Sequence, residues 1–297
     1  MGTKMNSLRF RYFADLSYCP QLNYVRQQWY CYNWLKKRLS WKDNNSWNVT
    51  LVNNKSVKAN DTIFVYWKQG WDVAPPLVKI CAESIRRQCG KHPVVFLDEN
   101  TIREYVSFPN FIDECHEKGI IKEALFSDIL RICLLINYGG IWCDATCLWT
   151  DPVPDYIENT PFFMFQKTKL PEWSSPIKGS NWFLKADKNN QLLVSIRNFL
   201  FSYYAEKKDI INYYIFHLIL AVLTDCDKTC ATILSNTPYV CNMNPHVMQF
   251  SFSEKYTYSS FEQKKSQCFI HKLSYKYQPQ LLEDKDNVLS YILNNYQ

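Results

Sequence analysis

One largely apolar stretch, FSDILRICLLINYGGIWCDATCLW (residues 126–149), carries Ser127, Asp128, Arg131 and Asp144 among its apolar residues. A helix from about Lys122 to Tyr138 puts Ser127 four residues and Asp128 three residues before Arg131, so all three share one face. The rest of the circumference is Leu, Ile, Phe and Cys, which marks a buried helix, and charges persist there only if paired or facing a polar cleft. A structural Asp128–Arg131 ion pair meets the first condition and a ligand-binding cleft the second; spacing alone leaves both open. Tyr138-Gly139-Gly140 then stops the helix, because glycine takes the left-handed conformation of a helix C-terminus. Ile141-Trp142-Cys143-Asp144 reads as a short buried strand ending in a carboxylate. Open α/β sheets bind ligands at the carboxyl ends of their strands, so Asp144 is a candidate for a metal or a sugar hydroxyl. A cap for the following turn is the plain alternative.

The surrounding elements alternate. A strand is expected at Ile63 to Trp67, a helix at Leu77 to Gln88 and a strand at Pro93 to Leu97. Helix-forming residues follow at Asn100 to Tyr105 and Pro109 to Lys118, then apolar strands at Phe162 to Gln166 and Cys268 to Lys272, with a mainly helical C-terminal third up to about Leu223. This β-α-β order implies a doubly wound sheet. The Asn- and Ser-rich segment NNSWNVTLVNNKSVKANDT separates an N-terminal helical extension, residues 1–58, from a main domain, residues 59–297.

Composition excludes several classes. The 297 residues are 47% hydrophobic and 16% aromatic, enough for a sizeable core. No apolar run reaches the roughly 20 residues of a membrane span, and the first residues lack the apolar core and cleavage site of a secretory signal, so a cytoplasmic chain is expected. Gly2 with Asn6-Ser7 is only a loose match to a myristoylation pattern. The twelve cysteines share no framework spacing and read as reduced thiols; the pairs Cys143/Cys147 and Cys226/Cys230 lack zinc-site spacing. The sequons at Asn44, Asn48, Asn54 and Asn60 read as chance matches in an Asn-rich chain. A net charge of +6 is too mild for a dedicated nucleic-acid binder. Basic residues including Arg9, Arg11, Arg26 and Lys36 to Arg38 interleave with Phe10, Tyr12, Phe13, Trp29, Trp34 and Trp41, a mixture that suits an anionic membrane surface.

The stretch SDILRICLLINYGGIWCDAT resembles the S-D-x-x-R…Y-G-G-x-Y/W-x-D-x-D/T signature of glycosyltransferases with a DXD-type sugar motif, and more narrowly the capsular polysaccharide synthesis glycosyltransferases. The likeness runs through IFVYWKQGWDVAPPLVKICAESI, SNWFLKA, YYIFHLIL and FIHKLSYK, covering roughly Ile63 to Lys276. It implies a GT-A nucleotide-sugar fold: an α/β, doubly wound mixed sheet with a helical C-terminal part. On that resemblance Tyr66 or Trp67 stacks on uracil, with Gln69 in the same donor-binding loop, while Ser127, Asp128 and Arg131 bind donor hydroxyls or the diphosphate. It further implies a divalent cation, Mn2+ or Mg2+, at Asp144 and Thr146 of the Asp144-Ala145-Thr146 motif, with His271 as a late ligand and Lys272 near the diphosphate. Thr146 stands where a second carboxylate is usual. Trp182 is a candidate sugar platform and Asn181 a hydrogen-bonding partner, against plain readings as a core Trp and a loop Asn; His217 reads as core.

The expected function is transfer of a hexose or N-acetylhexosamine from a nucleotide sugar, UDP foremost, to a lipid-linked capsular or surface polysaccharide repeat, with retention of configuration. The enzyme is expected at the inner face of the membrane. Nucleotidyl or phosphosugar transfer on a similar sheet, and a non-catalytic assembly protein that has lost its metal site, are the rival readings.

Overall fold

The computed structural model describes residues 20–47, 52, 54, 57–168, 174–206 and 211–296. Gly2, the cluster from Arg9 to Phe13 and the Asn48 sequon lie outside them. The chain runs through α1 (Pro20–Lys36), β1 (Ile63–Tyr66), α2 (Pro76–Gln88), β2 (Val94–Leu97), α3 (Asn110–Glu117), α4 (Glu123–Tyr138), β3 (Gly140–Cys143) and β4 (Cys147–Trp149). It continues with α5 (Asp155–Glu158), β5 (Phe162–Gln166), β6 (Gly179–Ala186), α6 (Gln191–Glu206), α7 (Ile215–Cys226) and α8 (Lys228–Ser235). The last elements are α9 (Val247–Phe250), α10 (Tyr258–Lys265), β7 (Ile270–Lys272) and α11 (Val288–Asn295).

Five strands form one mixed sheet in the order β2-β1-β3-β6-β5. β1 is parallel to both β2 and β3, whereas β6 runs antiparallel to β3 and β5. β1 is buried along its whole length, as a parallel strand covered on both faces must be. The two-residue period of the strands divides the core: Phe64, Trp142 and Leu184 pack with α4, α6 and α7, while Val65, Cys143 and Phe183 pack on the other face near Val78 and Ile85 of α2. The α/β mixed sheet with helices on both faces is therefore the architecture expected from the sequence. β4 leaves this sheet and pairs antiparallel with β7, setting Cys147 opposite Lys272 and Leu148 opposite His271.

Three local outcomes differ from the sequence reading. Asn100 to Tyr105 forms only a 3-10 turn at Ile102–Glu104, because the Asp98 carboxylate accepts the N–H groups of Asn100 and Thr101 (2.9 and 3.0 Å) and closes a tight turn first. GSNWFLKA is the strand β6, whose polar members Asn181 and Lys185 are nevertheless buried. Helices α8 to α11 extend the helical part well past Leu223.

Several described aromatic residues of the N-terminal part pack on the core, while Tyr24 and Tyr30 are exposed. Cys31, Tyr32 and Leu35 of α1 belong to the cluster built on α4, α6 and α7, and Trp34 and Trp41 pack against it. Arg38 stacks 3.5 Å from the Trp34 ring centroid. Among the described residues no helix is long and apolar enough to cross a membrane.

Candidate active site

The site is built around the turn from α4 into β3. Gly139 and Gly140 both have positive φ, 70° and 95°. A Cβ on Gly140 would run into the Thr62 carbonyl, and one on Gly139 into Asn60 and the Lys188 backbone N–H. Glycine is required here by conformation and by space, and the helix passes into the strand without a loop. β3 then lies beside β1, with Ile141 opposite Ile63, so Asp144 emerges next to the carboxyl end of β1. Arg131 reaches the same place from α4.

The charges form an alternating chain. Arg131 Nη2 lies 3.3 Å from Asp128 Oδ1 and 3.4 Å from Asp144 Oδ1. The Arg131 side chain also donates to Ser127 Oγ (3.0 Å), to the Ser127 carbonyl (3.1 Å) and to the Asn181 carbonyl (2.6 Å). Asn181 Nδ2 donates to Asp128 Oδ1 (2.8 Å), and the Trp142 indole N–H to Asp144 Oδ1 (3.0 Å). The Lys272 ammonium donates to Asp144 Oδ2 (3.0 Å) and to Thr146 Oγ1 (2.6 Å). The Asp128–Arg131 pair is thus both structural and part of a cleft, the two conditions that spacing left open.

One guanidinium serves two carboxylates, and the two respond differently. Burial pushes the Asp128 carboxyl up to about 6; Arg131 opposes this only in part, and nearby Asp144 adds to it. Burial also acts to raise Asp144, but Lys272 and Arg131 outweigh it and hold this carboxylate below its ordinary range. Lys272 stays protonated, because Asp144 more than offsets the effect of burial on the ammonium.

Around these groups lies a cleft of about 340 Å³. At one end Trp67 meets Tyr275 edge to face, ring centroids 5.1 Å apart, with Gln69 exposed nearby. The buried Trp67 Nε1 has no hydrogen-bond partner among the described residues. Tyr66 is buried beneath, its hydroxyl donating to Glu123 (3.0 Å), which also binds Lys68 (2.8 Å) and His116 (3.2 Å). At the other end Tyr213 and His217 line the wall. Burial and then Arg131 push the His217 imidazole down to about 3, so it is neutral at physiological pH.

Tyr66, Trp67, Gln69, Ser127, Asp128, Arg131, Asp144, Thr146, Asn181 and Lys272 all line this one cleft. Two expected residues do not reach it. Trp182, next to Asn181 on β6, turns away from the cleft: its ring stacks on Phe165 (4.7 Å) and its N–H donates to Asn242 (3.0 Å), and it shares a cluster with its neighbour Phe183 because the β5–β6 register shifts between Met164 and Gln166 and breaks the strand's alternation. His271 precedes Lys272 on β7 and is likewise turned away; fully buried, it lies 3.5 Å from Thr150 Oγ1. His217, read from sequence as core, instead faces the cleft, and Tyr275 was missed although the FIHKLSYK motif contains it.

A divalent cation fits this donor set poorly. Magnesium and manganese need hard oxygen ligands carrying spare negative charge. Asp144 is the sole carboxylate of its motif, both of its oxygens already face fixed cations, and Lys272 bridges it to Thr146. Among the described residues no three His, Cys, Asp or Glu side chains gather in a metal-binding group.

A search of curated proteins returned no match. Among solved structures, one titled PaToxG Glycosyltransferase is similar at a TM-score of 0.40 and 11% identity, over 92% of this chain and 94% of that one. The family model described as Capsular polysaccharide synthesis protein matches residues 19–292, nearly the whole described chain. The chain belongs to the capsular polysaccharide synthesis protein family, the one that its linked S-D-x-x-R and Y-G-G-x-W-x-D elements resemble.

Proposed function

We propose that the cleft transfers a hexose or N-acetylhexosamine from a nucleotide sugar, with UDP as the nucleotide, to a lipid-linked capsular or surface polysaccharide repeat, with retention of configuration. That the protein is a glycosyltransferase follows from its family; donor, acceptor and stereochemistry are the proposal. The observation that carries it is the chain Asp128–Arg131–Asp144–Lys272 at the carboxyl ends of β1 and β3, beside the Trp67–Tyr275 pair. An aromatic end suits a base, and the oriented N–H donors of Arg131 and Lys272 suit a diphosphate.

In the reaction the bond between the sugar C1 and the β-phosphate oxygen breaks, and its electron pair stays on that oxygen. The acceptor hydroxyl oxygen bonds to C1 and gives its proton to the leaving phosphate. Negative charge grows on the phosphate, where Arg131 and Lys272 provide oriented N–H donors. Among the described cleft residues, Asp128, Asp144 and Glu123 are each held by cationic partners. None is free as a nucleophile, which argues against a double displacement and is consistent with retention by front-side attack.

Location at an anionic inner membrane face is supported by the exposed Arg26, Lys36 and Lys37 on and just after α1. The test combines thermal stabilisation by a panel of nucleotides and nucleotide sugars with identification of the released nucleotide. Nucleoside diphosphate is the expected product; pyrophosphate or nucleoside monophosphate refutes sugar transfer. Arg131→Ala is expected to lower turnover by about a hundredfold or more, and wild-type turnover in the folded variant would remove Arg131 from the site.

A further inference from the structure

We propose that Lys272 takes the place of a divalent cation in this cleft, so that two side-chain cations, Lys272 and Arg131, stabilise the leaving diphosphate without metal. The inference rests on the transferase reading. Its basis is position: the ammonium bonds both oxygen-bearing residues of the Asp144-Ala145-Thr146 motif, at 3.0 and 2.6 Å, which is where a motif-bound metal ion would have to sit.

Backbone geometry puts it there. β4 begins immediately after the motif and pairs with β7, setting Cys147 against Lys272. The Leu273 N–H donates to the Thr146 carbonyl (2.8 Å) and closes the ladder at the motif itself. Strand register therefore places the Lys272 backbone beside the motif, and its four-carbon stem carries the ammonium to Asp144 and Thr146.

The charges agree with this placement. Arg131 and the Trp142 N–H occupy Asp144 Oδ1, and Lys272 occupies Oδ2. A dication would have to expel the ammonium or sit beside it, and like charges at such separations repel strongly in a partly buried site. Asp128 offers no relief, because it lies against Arg131 and is bound by Asn181. An incoming diphosphate is better matched. An ammonium has three N–H donors, and two of them are used by Asp144 and Thr146. The third has no acceptor among the described residues and is available to a phosphate oxygen. As the C1–O bond breaks, that oxygen gains the electron pair and accepts both this hydrogen bond and the acceptor's proton; Lys272 keeps its own proton.

The experiment uses the full-length protein, first stripped with EDTA. UDP binding is measured by calorimetry, and release of nucleoside diphosphate from a panel of nucleotide sugars is followed with a membrane lipid extract as acceptor source, in EDTA and in Mn2+. Wild-type binding and turnover are expected to agree within about twofold between EDTA and Mn2+. Lys272→Met is expected to lower turnover by about a hundredfold and UDP affinity by about tenfold, whereas Lys272→Arg, which keeps the charge, retains most of both. Turnover lost in EDTA and restored by Mn2+ would overturn the inference, as would wild-type turnover in Lys272→Met. If Lys272→Met does not fold, the wild-type comparison and Lys272→Arg still decide. Turnover only with Mn2+ defeats the Lys272 inference and leaves the transferase reading standing; no turnover of any donor in either condition defeats that reading, and the inference with it.

Discussion

Replacing Asp128 by asparagine should stabilise the protein at neutral pH and remove one component of its pH dependence. Asp128 is buried and shares a single guanidinium with Asp144, at 3.3 Å against 3.4 Å, so its charge is compensated incompletely. Its carboxyl is pushed from the usual 3.8 up to about 6, chiefly by burial. Between those values the folded state holds a proton that the unfolded state releases, so stability falls as pH rises through this window and levels off above about 6. A shift of about two units, at about 1.4 kcal/mol per unit, amounts to about 3 kcal/mol, of which about 2 kcal/mol falls between pH 4.5 and 7.5. The substituted amide has no such titration, and its oxygen can still accept from Asn181. Urea unfolding of both proteins at the two pH values isolates the effect, because uncoupled groups cancel in the difference and Asp144, which is coupled to Asp128, titrates below this range. The Asp128→Asn variant should gain about 2 kcal/mol on the wild type between pH 4.5 and 7.5. Parallel pH profiles, or a variant that loses ground at the higher pH, would show that Arg131 repays the burial of Asp128 in full.

Trp67→Ala and Tyr275→Ala should each weaken UDP binding by about 1 to 3 kcal/mol if the pair stacks on the base, while leaving affinity for inorganic pyrophosphate unchanged. Equal losses for both ligands would move the base elsewhere. Reversing Arg26, Lys36 and Lys37 to Glu should weaken binding to anionic vesicles by about 1 kcal/mol or more per residue, and less so at high salt; unaltered sedimentation with such vesicles would sever α1 from the membrane.

The part of the site on α4 and β3 was legible because its signals are local. Ser127, Asp128 and Arg131 interrupt an apolar helix at helical spacing, Gly139 and Gly140 end it, and Asp144 follows four residues later. What was not legible is parity. His271 and Lys272 are neighbours on β7 and turn to opposite faces, whereas on β6 a register shift against β5 sends Asn181 to Asp128 and Trp182 into the core beside Phe183. Sequence placed both members of both pairs in the site, since β6 was not read as a strand and the pairing of β7 with β4 could not be foreseen from a three-residue segment. His217 was hidden by the opposite effect: on a helix as apolar as α7, one polar residue gives no sign of which wall it faces. Tyr32 and Trp34 of α1 looked like surface residues because the core they pack against, including Tyr203 of α6, lies more than 150 residues away.

The Gly139–Gly140 junction has a consequence for how the cleft responds to a reacting donor. Packed against Thr62 and Asn60, it leaves no slack between α4 and β3, so Asp128, Arg131 and Asp144 ride on one stiff, covalently continuous piece. Their field is fixed when the chain folds. Lys272 arrives from a different sheet on a flexible four-carbon stem, which lets its ammonium shift while its strand stays paired. In the proposed reaction, dipolar reorganisation is thereby concentrated in a single side chain that can follow negative charge from the glycosyl phosphate bond onto the departing diphosphate, while the remaining charges hold still.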